Sequence, residues 1–338
     1  MATIRRPFRR WALRLLLLVV SLAFALLLVE GALHVLWPLD DVIPGQDDDW
    51  RNLEKGVKKA FVAVFVADDE LGYRPVLESA SEEWFPYGDH GTLKNPYPLE
   101  KRPGVQRLLF IGDSVVFRGK FVAAVRELLG DDKHEYWNAG VEGYSTLQEV
   151  AYYRRFNRAI KPDRVVLVFH NNDFRVTPVL FPDKDGNLTL IHPDRPVKDL
   201  NPWLFANSQI YRRVVNMRIS QMPKYTFEEN VRDARDALEE LAELCKADGI
   251  PLDVVLLPMF LPYTQWGEEY QRSRNESLKI FGGLGIDHVD LYGAMGRAFD
   301  AGVAVQESPA DRLHPSLKGC RFMLQDVKSR GGWKLLDG

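Results

Sequence analysis

From residue 107 onward the chain alternates short apolar runs with amphipathic helical patterns, and this alternation constrains the fold more than any other feature. The runs are "RLLFI", "EYWNA", "DRVVLVF", "LDVVLLPM" and "DHVDL", rich in β-branched and aromatic residues and too short for helices. Between them lie "FVAAVRELLG", "TLQEVAYYRRFNRAI", "EENVRDARDALEELAELCKADG" and "EEYQRSRNESLKIFGGLG". In the third of these, Val231, Ala234, Leu238, Leu241 and Cys245 recur on one helical face, and Gly249 ends the pattern. A last helix is expected from Pro315, a residue suited to a first helical turn. Strands that are apolar throughout must be buried on both faces. The class is therefore α/β, with a parallel sheet covered by helices on each side.

The first 37 residues form a separate unit. "RRPFRRWALR" precedes "LLLLVVSLAFALLLV", and apolar character resumes through "GALHVLW". The run from Trp11 to Trp37 is long enough to cross a bilayer, and tryptophans mark its two edges. An uncleaved anchor is expected. A signal peptide cleaved near "AFA" at 23–25 is the alternative, and a buried soluble helix is a third. Five arginines against Glu30 give this segment a charge of +4, which leaves -7 for the body out of a total of -3. The arginines belong on the cytoplasmic side, which puts the body outside the cytoplasm. An acidic body with no basic stripe gives no reason to bind nucleic acid.

Residues 38–105 read as a polar tether followed by an irregular layer wrapped around the main domain, which covers 106–330. An insertion at 174–226 breaks the alternation. Its "VLFPDKDGNLTLIHPD" suggests a hairpin around "DKDGN", and the terminal glutamate of a calcium loop is missing. Because the insertion leaves the third strand near its carboxyl end, it is expected to overhang that edge. Cys245 and Cys320 are too few for a disulfide scaffold and are expected to stay unpaired. His34, His90, His134, His192 and His288 show no metal-ligand spacing, so no metal or cofactor is expected.

Polar residues collect where the apolar runs end. The first run ends in Gly112, Asp113 and Ser114; the second leads into "NAGVEGYS"; the third ends in "HNND", residues 170–173. All three fall at strand carboxyl ends, the edge where open α/β sheets place their sites. A fourth segment, "DRLH", sets Asp311 three residues before His314. Each feature alone has a structural reading: Asp113 or Asp173 as a cap, Gly140 as relief of backbone strain, Asn172 as a turn residue. A serine hydroxyl needs a base to become nucleophilic, for which His314 is the candidate. Asp311 can accept the other imidazole N–H and hold the useful tautomer.

These four segments resemble, in order, the blocks of the SGNH, or GDSL-type, hydrolase family, over roughly residues 106–328. The nucleophile motif corresponds to Gly112-Asp113-Ser114, the second-block glycine to Gly143, the third-block asparagine to Asn172, and the closing Asp-x-x-His to Asp311 and His314. The resemblance implies a three-layer α/β/α sandwich with a five-stranded parallel, flavodoxin-like sheet. It implies catalysis by Ser114, His314 and Asp311, with an oxyanion hole of the Ser114 and Gly143 backbone N–H groups and the Asn172 amide. One position departs: the third block usually opens with glycine, and here it is His170. Asp113, His170 and Asp173 are expected to line the site.

The resulting expectation is a serine esterase acting through an acyl-serine, with an acetylated cell-surface or exported carbohydrate as substrate. Alternatives are an O-acetyltransferase that uses the same triad with a membrane acyl-transfer partner, a lipid esterase, and a non-catalytic polysaccharide-binding subunit. The intact Ser114, Asp311 and His314 set argues against the last.

Overall fold

The computed structural model describes residues 5–39, 65–77, 87–176, 179–182, 188–191, 195 and 201–337. Most of the tether (40–64), residues 78–86 and the "DKDGN" turn lie outside the described residues. The described chain divides into two compact units.

The larger unit holds the sheet. Its strands are β3 (Gln106–Gly112), β4 (His134–Asn138), β5 (Arg164–Phe169), β8 (Leu252–Leu256) and β9 (Asp287–Asp290). They pair in the order β4-β3-β5-β8-β9, every pair parallel. All five apolar runs are thus strands, in a sheet buried on both faces. Leu108 and Phe110 of β3 and Val166 and Val168 of β5 face one core; Leu109, Ile111, Val165, Leu167 and Phe169 face the other. The first core is closed by α3 (Lys120–Leu129), α9 (Tyr292–Asp300) and α10 (Leu317–Ser329). The second is closed by α4 (Thr146–Arg155), α7 (Phe227–Ala247) and α8 (Glu268–Leu284). The last helix starts two residues beyond Pro315, because the Ser316 hydroxyl accepts the Gly319 N–H and sets the cap there. Helix α9 was not expected from the sequence. Cys245 and Cys320 are buried and unpaired, and burial pushes their thiols up to about 11 and about 12.

The segment read as an irregular layer contains a hairpin. Strands β1 (Phe65–Asp68) and β2 (Gly72–Pro75) pair antiparallel, with Gly72 at φ +71 directly after the turn. Tyr73 and Tyr87 are wholly buried.

The smaller unit holds α1 (Arg5–Leu36) together with α5 (Pro202–Asn207) and α6 (Gln209–Ser220) of the insertion. Arg10–Leu36 is long and apolar enough to cross a membrane. The expected hairpin of the insertion is present as β6 (Val179–Pro182) paired with β7 (Leu188–Ile191).

Candidate active site

Strand β3 ends at Gly112 because nothing larger fits. A Cβ there would stand 2.5 Å from Val116 Cγ2 and 3.1 Å from the Val168 carbonyl oxygen. Asp113 then caps the short helix α2 (Ser114–Phe117), its Oδ1 accepting the Val115 N–H at 2.9 Å. Ser114 is therefore the first residue of a helical turn held tightly against the sheet edge.

The turn after β4 is held against α2. A Cβ on Gly140 would lie 2.2 Å from Phe117 N, so the glycine serves close backbone approach and not relief of strain. Asn138 joins the two segments: its amide donates to the Val116 carbonyl at 2.7 Å, and its Oδ1 accepts the Gly140 N–H at 2.9 Å. Gly143 follows in the left-handed region at φ +78. Tyrosines from the first part of the unit brace this turn. The Tyr87 hydroxyl donates to the Gly140 carbonyl at 2.9 Å and the Tyr73 hydroxyl to the Glu142 carbonyl. In the sequence, nothing local marks Tyr73, Tyr87 or Asn138 for this work beyond a polar residue closing an apolar strand.

His314 Nε2 lies 2.9 Å from Ser114 Oγ across 200 residues of sequence. Its Nδ1 lies 2.9 and 3.0 Å from the Asp311 carboxylate oxygens. The Asp311 carboxylate also accepts the backbone N–H groups of Leu313 and His314 at 3.0 Å each, a local turn that fixes its direction. Burial works to raise the Asp311 pKa, but those two N–H groups and His314 outweigh it and hold the carboxyl below its usual value. The loop that carries the pair is tied down as well: Glu307 N–H donates to the His314 carbonyl at 2.9 Å, and Phe260 N–H to the Arg312 carbonyl at 3.0 Å.

Asn172 sits in the single 3₁₀ turn Asn171–Phe174 that follows β5, on the same sheet edge. Its side chain lies outside the described residues. Asp113, His170 and Asp173 were expected to line the site, yet they are 1%, 1% and 0% exposed. Two of them support backbone and the third packs its ring. Asp113 caps α2, the Asp173 carboxylate accepts the His170 N–H, and the His170 ring stacks on Phe260 at 6.3 Å.

Arg118 is a further neighbour that the sequence reading did not single out. Its guanidinium lies 3.7 Å from Asp311, 3.6 Å from Glu142 and 3.1 Å from Glu307. Burial pushes the Glu142 carboxyl above its usual range, against the pull of Arg118 and His314.

The arrangement can move a proton from Ser114 to His314 while Asp311 holds the imidazole. Among solved structures the chain is similar to an acetylxylan esterase from Geobacillus stearothermophilus, at 14% identity over 70% of this chain and 98% of that chain, with a TM-score of 0.44. It is similar to an α/β hydrolase from the metagenome of Lake Arreo, Spain, at 15% identity over 67% and 95%, TM-score 0.43. It is also similar to a member of the lipolytic G-D-S-L family from Veillonella parvula, at 15% identity over 67% and 97%, TM-score 0.40. No family model matches the chain, and no curated protein does.

Proposed function

We propose that this chain is an SGNH-type serine esterase that cleaves an oxygen ester, and that it is held at the outer face of a membrane by α1. The observation that carries the reading is the unbroken relay Ser114–His314–Asp311, with both contacts at hydrogen-bond distance. His314 accepts the Ser114 proton as Oγ attacks the ester carbonyl. The oxyanion that forms is met by the backbone N–H groups of Ser114 and Gly143 and by the Asn172 amide. Losing one such donor costs about 100- to 1,000-fold in rate. His314 then gives its proton to the departing alkoxide, leaving an acyl-serine. Water, deprotonated by the same imidazole, releases the acid and restores Ser114.

The substrate we assign is an acetyl ester on a carbohydrate outside the cytoplasm. Tyr263 supports a sugar-facing surface. It stands 58% exposed in the segment that follows β8, three residues after the Phe260 that is hydrogen-bonded to the His314 loop. Its ring rests edge-on against Tyr292, a planar face with a polar tip. The orientation follows from the arginines that precede the apolar span.

The test uses the full chain in detergent with a fluorophosphonate probe, beside Ser114→Ala and His314→Ala, followed by acetate release from acetylated xylo-oligosaccharides. The wild type labels and turns over, and both variants lose labelling and turnover. Labelling with turnover only when a sugar acceptor is added would replace hydrolysis by acyl transfer. A folded wild type that does not label would remove the serine mechanism.

A further inference from the structure

Glu30 is the one acid within the apolar span, and the structure gives it a specific task. Its carboxylate accepts the Ser208 hydroxyl at 3.0 Å and the backbone N–H groups of Gln209 and Ile210, the latter at 3.0 Å. The carboxylate of α1 therefore satisfies free donors in the first turn of α6. The joint is closed from the other side. Arg212 Nη1 donates to the Leu39 carbonyl at 2.8 Å, Arg213 donates to the Trp37 carbonyl, and Gln209 exchanges two hydrogen bonds with the Leu39 backbone. Helix α6 is docked on the last turns of α1.

That joint has a depth. From Trp11 to Val29 a helix rises roughly 28 Å at about 1.5 Å per residue, close to the hydrocarbon thickness of about 30 Å. Glu30 then falls near the outer end of the Trp11–Trp37 run, about two turns before Trp37, and its carboxylate meets the start of α6 there. The face of α6 turned away from its own packing carries an apolar stripe flanked by exposed Arg218 and Ser220. Arg212, Val215 and Ile219 are buried, while Val214 and Met217 on the opposite side are 51% and 57% exposed, in line with half-buried Ile210. Trp203 on α5 is 69% exposed and Trp37 at the end of α1 is 73% exposed. Arg218, exposed on the same helix, suits a phosphate headgroup.

We infer that α5 and α6 form an interfacial platform that lies in the headgroup region of the bilayer spanned by α1, with Trp203, Val214 and Met217 in contact with lipid. The occupant is the bilayer and not a protein, because the first turn of α6 is hydrogen-bonded to Glu30, near the outer end of an apolar helix long enough to cross a membrane. The inference rests on reading α1 as a retained span.

The test uses the full chain in vesicles of zwitterionic and anionic phospholipid. Met217→Cys, or Arg235→Cys as a control on exposed α7, carries an environment-sensitive fluorophore; the native cysteines are buried and do not compete. The expected result is a blue-shifted label at 217, quenched severalfold more by lipid-borne spin labels than the label at 235, and protected from aqueous iodide. A label at 217 as open to iodide as the one at 235 overturns the platform. Protection from both quenchers overturns it as well, in favour of a protein partner. Mass spectrometry of the membrane-extracted chain separates the two readings: an intact N-terminus with a water-exposed label rejects only the platform, whereas loss of the residues up to Ala25 rejects the anchor and the platform with it.

Discussion

Glu149 and Asp173 are buried carboxyl groups, 2% and 0% exposed, coupled to one another and both repelled by Asp113. Burial is the larger cause and mutual repulsion the smaller, and together they hold both carboxyls well above the usual range. The sign of the linkage follows. A carboxyl raised in the folded state contributes stability that is complete below its unfolded pKa and is lost as pH rises through the folded one. Glu149→Gln cannot ionise, so its melting temperature gains on the wild type as pH increases from about 4 upward. Thermal melts across that range check it, and a gap that shrinks with pH would refute it. At Asp311 the relevant change is to the proton and not to the packing. Asp311→Asn leaves the loop in place but presents an amide that favours the wrong imidazole tautomer, and kcat falls on the order of 10,000-fold. Circular dichroism and kcat measured on one preparation separate this from unfolding.

The strands were legible because each is buried on both faces, so β3, β5 and β8 read as continuous apolar words with no polar alternation. The positions of Ser114, Asp311 and His314 were legible because turn chemistry is local: a cap after a strand, and an acid that folds back on the next residues. What was not legible is contact across long sequence separations. Tyr87 reaches Gly140 over 53 residues and Arg118 reaches Glu307 over 189, and no period or motif records either. Helix α9, with "YGAMGRAFD", carries two glycines that weaken its own propensity; its burial against α10 makes it a helix. Gly140→Ala is the sharpest element-scale test. Its Cβ has no room against the backbone of α2, which must shift together with Ser114. Overpacking of this kind costs about 1–3 kcal/mol, whereas a displacement of about 1 Å at the nucleophile costs on the order of 100-fold in rate. The variant is expected to fold with a modest loss of stability in urea titration and a far larger loss of kcat.

At the scale of the whole molecule, the sequence places an acidic body behind a basic, apolar leader, and the structure sorts the insertion with that leader in its own compact unit. Glu30 finds its partners in the insertion, at Ser208 and the first turn of α6, a pairing the sequence reading did not foresee. An acid inside an apolar span is informative because leaving it unsatisfied there is costly, so a partner elsewhere in the chain is to be sought. The larger unit brings Ser114, His314 and Asp311 into hydrogen-bond contact at one sheet edge from two segments 200 residues apart. The proposed mechanism requires that Ser114 carry the acyl group. The most direct measurement mixes the full chain with p-nitrophenyl acetate, records the first turnover, and locates the acetyl group by peptide mass spectrometry after an acid quench. The expected result is a burst of nitrophenol stoichiometric with protein, acetyl on Ser114, and neither in Ser114→Ala. Turnover without a burst in Ser114→Ala at the wild-type rate, or acetyl located on another residue, would contradict it.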